Sequence, residues 1–204
     1  MPLTEQQLSN LCDVVITLIY EKGLKCTTMD LVAKRLQISK RTLYENYGSK
    51  KELLAAALDH INRRQRADFR RIIDESENSV VALSQMMESH RKVIASLNVR
   101  FFRDMDTLYN EVRPHFEERK KQREADMTLL MQRGIQEGLF RPELNYFIIA
   151  RMIELQMESL KRMEDLFPDD ISIVEVFDTI YSTVLRGILT PAGLEILENQ
   201  STKK

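Results

Sequence analysis

Apolar residues recur three and four apart from the opening of the chain. Leu8, Leu11, Cys12, Val15, Leu18 and Ile19 form one stripe, opened by Thr4 with Glu5 in its first turn and closed near Gly23. That spacing belongs to one buried helix face. After Lys25 a second start signal falls at Thr27 or Thr28, with Asp30 three residues beyond Thr27 in capping-box spacing. Met29, Val32, Ala33 and Leu36 then mark the apolar side of a short helix. Gln37-Ile38 leaves room only for a tight turn, and Ser39 suits the N-cap of a third helix reaching about Tyr47. Gly48-Ser49 stops that helix and caps the next.

From Lys50 onward the pattern predicts helix after helix. A long one runs through Leu53, Leu54, Leu58 and Ile61 to about Ile73. Others are expected at Val80 to Leu97, Val99 to Tyr109, Pro114 to Gln136, Leu144 to Leu166 and Ile171 to Leu189. Turn and stop residues separate them, among them Arg141-Pro142, Pro168-Asp169 and Thr190-Pro191. Asn199 to Lys204 reads as a frayed tail. No stretch alternates with the period of a strand, and no internal repeat or low-complexity linker interrupts the helices. The expected fold is all-α, about nine helices, with a three-helix head over 1–48 and a larger helical bundle over 49–204.

Composition supports this reading: the 204 residues include only six Gly and five Pro, and no Trp. A formal charge of -1 excludes a protein that coats nucleic acid indiscriminately, so any DNA contact must come from a local patch. Cys12 and Cys26 lack CxxC spacing and sit among apolar helical positions, where buried, reduced thiols are expected. The opening residues lack the basic and apolar blocks of a secretory leader, and no apolar run reaches about 18 residues. A cytoplasmic protein without a membrane span is the expectation. His60, His90 and His115 have no metal-ligand spacing, and the run from Arg119 to Arg123, interleaved with acids, reads as a solvated face. Neither a nucleophile with its base nor a phosphate-binding Gly-rich loop is present. Catalytic residues, cofactors and metal ligands are therefore not expected.

Two short helices joined by a tight turn, with a third packed before them, make a helix-turn-helix, whose second member enters the DNA major groove. At about 100° per residue, Leu43 and Tyr47 fall on one side of the Ser39 to Tyr47 helix and Arg41 and Glu45 on the other. Thr42 and Tyr44 flank them. Positions 34–51 carry six cations and one acid, a local charge of +5 on a neutral chain.

The stretch EKGLKCTTMDLVAKRLQISKRTLYENYGSKKELL, Glu21 to Leu54, resembles the DNA-binding domain of TetR-family transcriptional regulators. Gly23, the Thr27-Thr28 pair, Ala33, Ser39-Lys40, Thr42-Leu43-Tyr44 and Ser49-Lys50 before Glu52-Leu53-Leu54 carry the likeness, which covers about the first quarter of the chain. The closing Arg186 to Pro191 and Gly193-Leu194 add a weaker one. The resemblance implies that Thr28 and Lys50 grip phosphates at helix N-termini. It also implies that Tyr44 presses on the backbone or a thymine methyl, and that Ser39, Lys40, Arg41 and Thr42 line the readout helix. Arg41 is the candidate for a bidentate guanine contact, worth about 1–3 kcal/mol. Three residues depart from the family's pattern: Gln37 where Gly is usual, Glu45 where an aromatic or His is common, and Asp30 where a base is frequent. Glu45 is expected to pair with Arg41 four residues back in preference to accepting from a cytosine amino group.

The resemblance further implies a homodimer on a double-stranded inverted-repeat operator, a repressor released by an unidentified small-molecule effector. The interface would lie on the last two long helices, with Ile148, Met152, Leu155, Phe177, Tyr181 and Val184 as candidates, although periodicity alone leaves these stripes equally open to an intramolecular core. An effector pocket would draw on Met86, Phe101, Phe102, Met105, Tyr109, Met127 and Met131. The competing readings are a protein-interaction adaptor or a small-molecule carrier that does not bind DNA.

Overall fold

The computed structural model describes residues 3–97, 104, 121–159, 166–168 and 170–201. Among these residues the secondary structure is helical: α1 (Glu5–Lys22), α2 (Met29–Leu36), α3 (Lys40–Asn46), α4 (Lys50–Glu75), α5 (Ser79–Ser96), α6 (described over 121–136), α7 (Tyr146–Ser159), α8 (Ile173–Ile188) and α9 (Pro191–Ser201). One isolated antiparallel bridge joins Phe140 to Leu189. The helix expected at Val99 to Tyr109 lies almost wholly outside the described residues, as does the start of the one expected from Pro114.

Helix α9 was not anticipated. Thr190-Pro191 reads in sequence as a stop, yet it also starts a new helix. Proline's fixed φ suits a first helical position, and the Thr190 hydroxyl accepts a hydrogen bond from Gly193 N at 3.2 Å. Cys26 also departs from expectation: it is exposed in the turn after α1, because the apolar stripe that buries Cys12 ends at Gly23. Cys12 is buried, and burial pushes its thiol pKa up.

The chain divides into two compact units, Met1–Ala67 with Ser96–Gln122, and Asp68–Ala95 with Arg123–Lys204. The first thus extends past residue 48, the boundary expected from sequence. The reason is packing: Leu53, Leu54, Ala57 and Leu58 on α4 are buried in one core with Leu11, Val15, Leu18 and Ile19 of α1, Val32 of α2 and Leu43 of α3. The first three helices share that core with the opening turns of α4, which supply four of its buried residues.

The second unit has its own core, in which Val80, Leu83 and Met86 of α5, Leu130 and Met131 of α6, and Leu185, Ile188 and Leu189 surround Phe140. Phe140 packs on Gly134, where an added Cβ would lie 2.2 Å from the ring, so only glycine allows that approach. Arg133 of α6 ties the end of α4 to the start of α5. Its Nη1 donates to the Ile73 carbonyl at 2.6 Å and its Nη2 to the Ser76 carbonyl at 2.9 Å. Its Nε donates to Glu137 Oε1 at 2.7 Å, while Glu137 Oε2 accepts from Ser79 N at 2.8 Å. One arginine and one carboxylate therefore satisfy backbone groups that two helix termini leave unpaired. Burial alone would raise the Glu137 pKa, but the bonds from Ser79 and Arg133 outweigh it and hold the carboxyl below its ordinary value.

Arg133→Met should lower unfolding free energy by about 2–3 kcal/mol, since charged donors to buried carbonyls are lost, and denaturant titration measures this. Because the Glu137 pKa is depressed on folding, its contribution is present above the unfolded-state value and lost as pH falls through the folded one. The stability gap between the parent and Glu137→Gln should therefore narrow on acidification below pH ~4; a gap that widens there would contradict the assignment.

Candidate nucleic-acid interface

Helix α3 has seven residues and is too short to stand alone, so its caps and one buried side chain decide its position. Leu43 is fully buried in the first core. At the N-terminus Ser39 Oγ accepts from Thr42 N at 3.0 Å, and the two hydroxyls lie 2.8 Å apart. Near the C-terminus Asn46 Nδ2 donates to the Thr42 carbonyl at 2.7 Å. With the inward face so occupied, the opposite face is left to solvent. The Arg41 side chain is 87% exposed and Tyr44 is 48% exposed. The wheel drawn from sequence is realised: Leu43 inward, Tyr47 half-buried, Arg41 and Glu45 outward.

Of the two possible caps for α2, Thr28 takes the role and accepts from Leu31 N at 3.2 Å. Thr27 instead turns inward and donates to the Gly23 carbonyl at 2.8 Å. The capping box expected between Thr27 and Asp30 does not form, because Thr27 is not the cap. Asp30 faces α3, where its Oδ1 lies 2.6 Å from Lys40 Nζ.

Each expected DNA-contacting cation is engaged within the chain. Lys40 is paired with Asp30, which raises the lysine pKa. Arg41 Nε donates to Glu45 Oε1 at 2.7 Å, the pairing anticipated from their i, i+4 spacing. That bond raises the arginine pKa and lowers the Glu45 pKa. Lys50 Nζ donates to the Leu24 carbonyl at 2.9 Å and the Lys25 carbonyl at 3.1 Å, bracing the loop that leads into α2. Asp104, which no local spacing could have identified, secures the same loop. It is buried, and its Oδ2 accepts from Lys25 N at 2.8 Å. Its partner stands 79 positions away in the chain, so only the fold reveals it.

The turn between α2 and α3 is left-handed at Gln37, with φ 55° and ψ 37°. Among the described residues this is the non-glycine with positive φ. The tight turn is thus built with a left-handed residue that is not glycine, at some conformational cost.

The remaining sequence candidates divide three ways. Phe101, Phe102, Met105 and Tyr109 lie outside the described residues. Met86 and Met131 are buried in the second core, with Met127 packed partly buried against it. On α7, Ile148, Met152 and Leu155 are exposed, together with Phe147, at 53%, 54%, 66% and 67% respectively. Helix α7 packs against α8, where Phe177 is buried and stacks on half-buried Tyr181 at 4.3 Å between centroids, and Val184 is partly buried against the second core. Phe177 thus belongs to the subunit's own interior, while the exposed row lies on α7. Within that row Arg151 sits 5.1 Å from the Phe147 ring centroid and bonds to Glu124 at 2.9 Å and Glu154 at 2.5 Å. Among the described residues no group of three or more His, Cys, Asp or Glu is placed to hold a metal, and no helix is long and apolar enough to cross a membrane.

Residues 12–57 match the model for bacterial regulatory proteins of the tetR family. The chain is 26% identical over 147 residues to the HTH-type transcriptional repressor KstR2 of Mycobacterium tuberculosis, covering 70% of this chain and 74% of that protein. The structure of that ketosteroid transcriptional regulator aligns with a TM-score of 0.60 at 22% identity, over 92% of this chain and 97% of the other. A TetR-family regulator from Agrobacterium tumefaciens aligns at 0.68 with 14% identity, over 91% and 99%. FadR from Bacillus subtilis in complex with stearoyl-CoA aligns at 0.62 with 17% identity, over 91% and 100%. At these identities the structural likeness speaks to the fold.

Gln37→Gly should stabilise the protein by about 0.5–1 kcal/mol by relieving the left-handed backbone, whereas Gln37→Val, β-branched at positive φ, should destabilise it by more than that. Thermal unfolding of the two variants reads the sign directly. Equal and opposite behaviour to this order would mean that the turn is not left-handed in solution.

Proposed function

We propose that this protein is a DNA-binding transcriptional repressor of the tetR family that reads an inverted repeat as a homodimer and leaves it when a small molecule binds. One observation carries the DNA-binding reading: the outward face of α3, with Arg41 and Tyr44, is open to solvent while Leu43 anchors the opposite face. A helix held this way by its own core can enter a major groove without unfolding anything. Thr28, Ser39, Lys40, Arg41, Thr42, Tyr44 and Lys50 form the contact set. Phosphate contacts from the helix starts at Thr28 and Lys50 set position, and the side chains of α3 set sequence. For Lys50 this requires an exchange of the Leu24 and Lys25 carbonyls for a phosphate, or a contact made with those bonds in place.

The dimer is supported by the row Phe147, Ile148, Met152 and Leu155, which a soluble chain seldom leaves contiguous and uncovered. Tyr181 and Val184, partly exposed on α8, would extend this interface. The effector belongs to the portion beyond residue 48. Met86, Met127 and Met131, gathered in and against the second core, suit a ligand with a sizeable apolar part. A ketosteroid regulator and a stearoyl-CoA complex among the relatives support that chemical class. We place the protein in the cytoplasm, with its operator.

Selection from a randomised duplex library should yield an inverted repeat bound by the parent. Arg41→Ala and Tyr44→Ala should each weaken that duplex at least about tenfold, with the oligomer unchanged. Binding by both variants as tight as the parent's would exclude this face as the reader. Leu155→Glu should shift sedimentation toward the monomer at micromolar concentration while leaving helicity intact; a dimer as tight as the parent's would move the interface off α7.

A further inference from the structure

Arg41 and Glu45 are bonded through a particular atom. The acceptor takes the hydrogen of Nε, the inner nitrogen of the guanidinium, at 2.7 Å. That bond engages the inner nitrogen, and the terminal fork, the outermost N–H pair with one hydrogen each from Nη1 and Nη2, is not the part of the guanidinium it uses. That fork is the part of arginine whose two parallel N–H groups match O6 and N7 of guanine. A flexible arginine loses side-chain freedom when it docks on a base, and a partner that already holds it removes part of that cost. Glu45 lies one helical turn toward the C-terminus, on the same outward face, with its side chain 41% exposed and Arg41 87% exposed. Neither is packed into the protein, so the pair is kept at the surface that meets the groove.

Glu45 has a second effect. An acid on a DNA-facing helix repels phosphate everywhere along a duplex, and non-specific binding is almost wholly a phosphate effect. Lys40, the other cation of α3, is likewise matched by Asp30. A helix whose cations both carry an acid has weak attraction for random DNA, and its binding must be earned through base contacts.

We propose that Glu45 is a positioning and specificity-determining residue: it aims the terminal fork of Arg41 at a guanine and suppresses binding to duplexes that lack it. This rests on the DNA-binding reading above.

The test uses the full-length chain with duplexes selected from a randomised library, comparing the parent with Arg41→Ala, Glu45→Ala and Glu45→Gln. Anisotropy titrations at two salt concentrations give affinity for the selected duplex, for single base-pair changes within it, and for a scrambled duplex. In the parent, one guanine position should account for the Arg41 contact, identified by the preference that Arg41→Ala loses and by its sensitivity to 7-deazaguanine, which lacks N7. Glu45→Ala should lose the preference at that same base pair, lowering the ratio of specific to scrambled affinity by about tenfold, while its affinity for the scrambled duplex rises. Glu45→Gln, which keeps an acceptor oxygen but not the charge, should fall between the two. Uniformly tighter binding to all duplexes with the base preferences retained would overturn the proposal, since Glu45 would then act through charge alone. Loss of preference at a base pair that Arg41→Ala leaves intact would also overturn it, because Glu45 would then read a base of its own. If the parent selects no duplex, the DNA-binding reading fails and this inference with it. If the parent selects a duplex and the Glu45 variants keep its profile, this inference alone fails. Thermal melts of the three variants confirm that folding is retained, as expected for exposed side chains.

Discussion

The burial of Leu43 is the constraint on which the head of the protein depends. A seven-residue helix has too few internal hydrogen bonds to offset the entropy of ordering it. Its orientation is therefore borrowed from the core that Leu43 enters, and that core is complete only once the opening turns of α4 supply Leu53, Leu54, Ala57 and Leu58. The Ser39 and Thr28 caps refine the arrangement, each satisfying an N–H that would otherwise be unpaired. The exposure of Arg41 and Tyr44 follows from that inward anchoring, since Leu43 in the core, together with the caps, fixes which face of α3 meets solvent.

Charge on this surface is partly balanced pair by pair, though not in sum. The sequence carries a net +5 between positions 34 and 51, yet Lys40 meets Asp30 and Arg41 meets Glu45. These exposed pairs contribute little to stability. On the proposed function, their importance would lie in what the cations present to an incoming duplex: oriented and partly neutralised groups in place of freely rotating charges. Lys50 differs in kind, since its ammonium is committed to two backbone carbonyls and shapes the entry to α2.

Much of this architecture was legible in the sequence, and the reasons are local. Helices α1 to α4 were marked by period and cap, and the Arg41–Glu45 pair by i, i+4 spacing. The tightness of the turn at Gln37-Ile38 was visible too, while the left-handed backbone at Gln37 is settled only by the fold. What escaped was either ambiguous chemistry or long-range contact. Thr190-Pro191 carries the same letters whether a helix stops or starts there, and the deciding bond, Gly193 N to Thr190 Oγ, is formed only in the fold. Cys26 was assigned to an apolar stripe that had already ended. Asp104 reaches Lys25 across 79 residues, and Arg133 reaches Ile73 across 60, distances at which no spacing rule operates. The stripes of α7 and α8 have similar composition, yet Phe177 is buried and Phe147 is not. Periodicity finds an apolar face without saying what covers it.

The guanidinium of Arg151, lodged against the Phe147 ring and leashed to Glu124 and Glu154, breaks the greasy row on α7 with a fixed cation. Any helix laid over Phe147 and Leu155 must accommodate that ion network, because taking charges out of water is costly even when they are paired. A second copy docking on α7, as proposed, would therefore need a counterpart shaped to accommodate Arg151.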